Sequence, residues 1–67
     1  MEQMPPELFD RLSPRKRQVW TLHQEGLSPA EIGRRLTISE FSASMFLEGV
    51  RAEIDLYERR RRGEPMI

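Results

Sequence analysis

The amino-acid sequence predicts a small all-α fold of three helices, with a short helical turn before them and the longest helix last. Serines and serine-proline pairs mark the helix starts, and apolar residues recur at helical spacing. No strand pattern competes with this interpretation. At 67 residues the chain holds one small domain with a thin core, so we expect a partner subunit to supplement it.

The tripeptide Leu-Ser-Pro occurs twice, at residues 12–14 and 27–29, and each copy predicts a helix start. A serine hydroxyl accepts an unpaired backbone N–H at the N-cap, and proline at the next position loses no hydrogen bond. We therefore predict helices at about 14–25 and 29–36, after a short helical turn at 6–12. Their candidate core residues are Val19, Leu22, Ile32 and Leu36.

The second of these starts carries additional signals. Glu31 stands three residues after Ser28, which is the spacing of a capping box. Leu27 can pack on Ile32 across the same helix start. Gly26, just before, is expected to end the preceding helix in the left-handed conformation.

Ser39 opens the last helix, which we predict at about 40–60. Its apolar residues step by four and three and form one stripe: Ala43, Leu47, Val50, Ile54 and Tyr57. Such a helix is about 31 Å long, which is more than two short helices can cover. Either Leu8, Phe9 and Leu12 fold back onto its far end, or the same helix of a second subunit covers it.

The composition excludes several classes of function. The chain has no cysteine, which excludes disulfides, zinc-thiolate sites and thiol nucleophiles, and its one histidine leaves only carboxylates for metal binding. Because the serines are explained as caps or lack a base to activate them, we expect no catalytic residue, metal, cofactor or small-molecule substrate. The first twelve residues are acidic, and no apolar run approaches the roughly 20 residues that span a bilayer. We expect a cytoplasmic protein that does not contact membranes.

A short second helix and a tight turn before a long third helix form a helix-turn-helix bundle. The segment LSPRKRQVWTLHQEGLSPAEIGRRLTISE resembles the opening of LuxR/GerE-type DNA-binding domains and of the C-terminal, promoter-reading domain of sigma factors. Its likeness covers residues 12 to about 54, and the uninterrupted RAEIDLYERRRR favours the sigma-like version. The resemblance implies a trihelical DNA-binding domain at 13–58, after an N-terminal arm or turn at 1–12 and before a basic tail at 59–67.

In the families it resembles, the third helix enters the major groove. Where those families tend to carry polar and basic residues, this chain has Ser42, Ser44, Met45 and Phe46, and residues 38–49 contain no Arg, Lys, Asn or Gln. Residues 36–58 carry one arginine against five carboxylates, a net charge of −4, whereas residues 13–35 carry +3. Phosphate contacts are therefore expected from residues 13–35, the basic first half of the domain. The candidate DNA-binding residues are Arg15, Arg17, Arg34, Arg35, Ser42, Ser44, Met45 and Arg51.

Phe41 and Met45 lie one turn apart on the last helix, outside its apolar stripe. They either extend the core, or form an exposed patch for a protein contact, or touch thymine methyl groups. Residues 59–62, four arginines, are explained by a solvated helix end, by phosphate binding or by contact with an acidic surface.

Two functional hypotheses remain. The first is a transcription regulator that binds DNA as a homodimer joined through the long helix. The second is a helix-turn-helix that has become a protein-interaction module, which associates with itself or with another transcription protein. The candidate interface residues are Phe41, Met45, Phe46, Ile54 and Tyr57.

Overall fold

Four helices make up the computed structural model, which describes residues 4–63. They are α1 (Pro6–Arg11), α2 (Pro14–Gln24), α3 (Pro29–Leu36) and α4 (Glu40–Arg61). The all-α prediction is confirmed, including the short N-terminal element and the long last helix, and residues 4–63 contain no strand. None of the helices in this range has both the length and the apolar composition needed to cross a membrane.

The helix starts follow the predicted caps. The hydroxyls of Ser13 and Ser39 accept the backbone N–H three residues later, at 3.3 and 3.0 Å. At α3 the capping box is complete, since the Ser28 hydroxyl accepts the N–H of Glu31 at 3.3 Å and the Glu31 carboxylate accepts the N–H of Ser28 at 2.9 Å. The hydrogen bond from the Ser28 N–H to the carboxylate, and after it the Ser28 hydroxyl, hold the pKa of Glu31 below its ordinary value of 4.5. Gly26 has φ 96°, as predicted for a left-handed helix stop.

The turn between α3 and α4 is unusually close to the helix it leaves. Thr37 ends α3 in the left-handed conformation with φ 58°, and the N–H of Ile38 then donates to the carbonyl of Gly33 at 2.8 Å. A Cβ on Gly33 would lie only 2.7 Å from the Ile38 carbonyl oxygen. Glycine at this position therefore permits the tight helix-turn-helix connection.

The core lies where α2 and α3 cover the inner face of α4. Val19, Ile32 and Val50 are fully buried at its centre. The buried apolar cluster comprises Leu8, Leu12, Val19, Trp20, Ile32, Ala43, Leu47, Val50 and Ile54. Leu8 and Leu12 belong to this cluster, so the segment around α1 is part of the one core.

The far end of α4 is covered by α1 of the same chain. Ile54 is only 8% exposed, and Tyr57 is half-buried and donates its hydroxyl hydrogen to the Glu7 carboxylate. This hydrogen bond holds the pKa of Glu7 below its ordinary value, and Arg61 adds an ion pair to the same carboxylate at 3.7 Å. Ile54, which was predicted as an interface residue, is thus buried by its own chain. Tyr57 is likewise occupied within the chain.

Candidate functional site

Four arginines lie on α2 and α3, two on each helix. Arg15, Arg34 and Arg35 are exposed and Arg17 is half-buried, and none of the four makes an ion pair with another residue in the range 4–63. A cation that is exposed to water and has no ion-pair partner contributes little to the stability of the fold. At the start of α2 a cation also opposes the helix dipole. The fold itself therefore gives no stabilising role to Arg15 and Arg17.

The structure brings three of these arginines onto adjoining grooves. Arg17 of α2 and Arg35 of α3 line a groove of about 340 Å³. Arg34 and Arg35 line a second depression of about 380 Å³ along α3, together with Leu27 and the carboxylate of Glu31. Arg15 lies two residues before Arg17 on α2 and lines neither groove. Three of the four predicted cations, from two separate sequence segments, thus line adjoining grooves.

The groove between α2 and α3 has an apolar floor. Leu22 and Leu36 lie along it, and both also pack against the core. Thr21 and Gln18 complete the lining between the two arginines. The groove therefore combines apolar contact area with two guanidinium groups at its edges.

A second candidate surface lies on the first two turns of α4. Phe41 is 74% exposed and Met45 is 51% exposed, so these two side chains do not extend the core. Phe46, by contrast, is half-buried and packs against the core. Phe41, Met45 and Phe46 line a shallow groove of about 370 Å³ with Lys16 and Ser42. Large exposed apolar side chains on a small protein usually mark a contact surface.

Carboxylates flank the exposed apolar residues of α4. Glu40 and Glu48 are exposed and make no ion pair with any residue that the structure describes. Lys16, which lines the same groove, is bound to Glu53 at 2.8 Å, which ties α2 to α4. Residues 40–48, which we call the front of α4, are therefore acidic as well as apolar.

The residues that were predicted to contact DNA bases offer few hydrogen-bond donors. Ser42 is half-buried, and its hydroxyl accepts a hydrogen bond from the Ser39 hydroxyl at 3.0 Å within the helix cap. Ser44 is also half-buried. Arg51 is exposed further along α4, where its guanidinium lies 3.5 Å from the Nε2 of His23. The structure thus separates Arg51 from the front of α4.

Sequence reasoning missed the groove between α2 and α3 and the Lys16–Glu53 pair. Both depend on how the helices cross, because Lys16 and Glu53 are 37 residues apart. The spacing of Arg17, Thr21 and Leu22 along one helix was the available signal for the groove, but Leu22 was assigned to the core.

Comparisons with protein-family models, with curated proteins and with solved structures gave no match. Within residues 4–63, no cluster of three or more histidine or carboxylate side chains is placed to hold a metal ion. With no match, the function is inferred from the charge, shape and hydrogen bonding of the surfaces that the structure describes.

Proposed function

We propose that this protein is a small helix-turn-helix transcription regulator that binds duplex DNA through the arginines of α2 and α3. The observation that carries the proposal is the group Arg15, Arg17, Arg34 and Arg35, which is basic, accessible and without ion pairs in residues 4–63. In helix-turn-helix docking the first helix of the motif crosses the DNA backbone, which suits Arg34 and Arg35 on α3.

Phosphate neutralisation gives this binding a measurable signature. Each phosphate contact releases counterions, so affinity falls with salt at a slope of about −0.9 per contact in a logarithmic plot. Four arginine contacts correspond to a slope of about −3.6. The acidic front of α4 opposes the approach of a phosphate backbone, so we expect the affinity to depend strongly on these four residues.

The front of α4 supports shape and backbone recognition better than base reading. Arg, Lys, Asn and Gln make the strong paired hydrogen bonds to base edges, and residues 38–49 contain none of them. Ser42 and Ser44 are half-buried, and Met45 presents only apolar contacts. We therefore expect binding with a weak preference among sequences.

The experiment compares two variants that lose the same charge. One carries alanine at residues 15, 17, 34 and 35, and the control carries alanine at the four arginines of residues 59–62. Fluorescence anisotropy with a mixed-sequence duplex, over about 20 to 200 mM salt, measures affinity and slope. The first variant is expected to lose binding and the control to keep most of it. Equal affinity and slope in both variants would contradict the phosphate assignment.

A second candidate function is binding of another transcription protein through the front of α4. It is favoured by the exposure of Phe41 and Met45, because aromatic and methionine side chains are enriched at interface centres. Replacing both by serine is expected to abolish such an association while DNA binding persists. The reverse result, association kept and DNA binding lost, would contradict this candidate. The proposal does not use a homodimer through the far end of α4, because Ile54 there is buried and Tyr57 is hydrogen-bonded to Glu7 within the chain.

A further inference from the structure

Two exposed surfaces of this chain complement each other in apolar character and in charge. The first, which we name the acidic knob, consists of Phe41 and Met45 with Glu40 and Glu48 beside them. The second, the basic groove, has Leu22 and Leu36 on its floor and Arg17 and Arg35 at its edges. A surface that projects two apolar side chains between carboxylates matches a groove that offers apolar floor between guanidinium groups.

The basic groove has room for the side chains of the knob. It is an open depression of about 340 Å³ with a mostly apolar lining, along which side chains of a second copy can lie. Phe41 and Met45, at 74% and 51% exposure, retain most of their apolar surface for such a contact. Docking would bury that surface, which drives association.

The charges at the two surfaces are available for pairing. Glu40, Glu48, Arg17 and Arg35 make no ion pair with any described residue of their own chain. Arginine pairs with carboxylates in a two-pronged geometry that also fixes orientation. The whole chain has a net charge of zero, so no overall repulsion opposes the approach of a second copy.

We propose that the acidic knob of one copy docks in the basic groove of a second copy, which gives head-to-tail self-association. Contact of two knobs is disfavoured because it would place four carboxylates together. A head-to-tail contact leaves one knob and one groove free at the ends, so assembly continues beyond a dimer unless a ring closes.

The same contact has a regulatory consequence. Arg17 and Arg35 cannot hold a second copy's carboxylates and DNA phosphates at once, so DNA and self-association compete. This competition rests on the proposed function, whereas the contact between copies does not. Mixed-sequence duplex is therefore expected to dissociate the assembly.

The test uses three variants of the full chain and analytical ultracentrifugation. The knob variant carries Phe41→Ser and Met45→Ser, and the groove variant carries Arg17→Glu and Arg35→Glu. The control, Leu56→Ser, changes another exposed apolar residue of α4, which is 40% exposed and outside both surfaces. Circular dichroism establishes that each variant is folded, and Arg17→Gln with Arg35→Gln replaces the groove variant if it is not.

The expected pattern is specific to a head-to-tail contact. The wild type and the control grow beyond a dimer as concentration rises, and raising the salt concentration weakens the assembly. Each variant alone is a monomer, but an equal mixture forms a one-to-one complex, because the groove variant supplies a knob and the knob variant supplies a groove.

Other outcomes overturn the proposal in distinguishable ways. A monomeric wild type at high concentration, or a mixture that stays monomeric, excludes the contact. A groove variant that still associates, beside a monomeric knob variant, shows that knobs bind each other. If the wild type assembles and the mixture forms the complex but duplex DNA neither binds nor dissociates the assembly, the proposed DNA-binding function fails and the self-contact stands.

Discussion

Replacing Gly33 by alanine tests the tight turn at the centre of the fold. The added Cβ would lie 2.7 Å from the carbonyl oxygen of Ile38, 3.2 Å from the carbonyl carbon of Ser39 and 3.3 Å from the nitrogen of Glu40. All three are backbone atoms, which cannot rotate away as a side chain can. The turn must therefore move away from α3, and the start of α4 must move with it.

Two opposing effects set the magnitude. Alanine has the better helix propensity, which favours the variant by about 1 kcal/mol. Overpacking a buried site costs about 1–3 kcal/mol, and a contact with backbone belongs at the upper end. The net loss of stability is about 2 kcal/mol, which lowers the Tm of a domain of this size by about 8–16 °C.

Gly49 provides a matched control in α4. A Cβ there meets only the Cε of Lys16, at an ordinary contact distance of 3.9 Å. Gly49→Ala is therefore expected to stabilise the domain by about 0.5–1 kcal/mol. Thermal unfolding followed by circular dichroism, together with urea denaturation, measures both variants. A Gly33→Ala protein as stable as the wild type would refute the close packing of the turn.

Four further predictions concern Leu12, the capping box and sequence preference. Leu12→Ala should cost about 2–5 kcal/mol in denaturant unfolding, because its side chain is buried in the core cluster; a loss of only a few tenths of a kcal/mol would contradict its place in that core. Ser28→Ala should cost about 1 kcal/mol by removing the α3 cap. Folding lowers the pKa of Glu31. The ionised carboxylate therefore stabilises the folded protein above pH 4.5, and this stabilisation is lost as the pH falls through the pKa of Glu31 in the folded state. Urea unfolding of Glu31→Gln and the wild type should therefore converge in acid, and a constant difference would contradict this. Competition with unrelated duplexes should change DNA affinity only a few-fold, and strong discrimination would contradict the absence of base readers on α4.

The local features of the fold were predictable because they depend on neighbours in the sequence. Ser28 and Glu31 are three residues apart, and the capping box they form needs no tertiary contact. The apolar stripe of α4 likewise identified Ala43, Leu47 and Val50, all of which are buried.

The features that the sequence left open depend on contacts between distant segments. The sequence did not show whether α1 or a partner subunit covers Ile54. In the structure Leu8 and Leu12 belong to the same buried cluster as Ile54, so the chain covers this residue itself. The close approach of Gly33 to Ile38 arises from the left-handed conformation of Thr37, which no residue preference signalled.

The sequence predicted which residues belong to the candidate site but not which of them lie together. Arg17 was predicted as a phosphate ligand because a cation at the start of α2 opposes the helix dipole, and Arg35 because the first helix of the motif crosses the DNA backbone. The groove they share exists only because α2 and α3 pack side by side. The exposure of Phe41 and Met45 was one of the alternatives left open, since helical spacing places them off the stripe without showing whether α1 reaches them.

The most direct test of the DNA-binding account is the salt dependence of wild-type binding to a mixed-sequence duplex. The account predicts binding at about 20 mM salt that weakens with a logarithmic slope of about −3.6 as salt rises. Absence of binding at the lowest salt, or a slope near zero, would contradict the assignment of Arg15, Arg17, Arg34 and Arg35 to DNA phosphates.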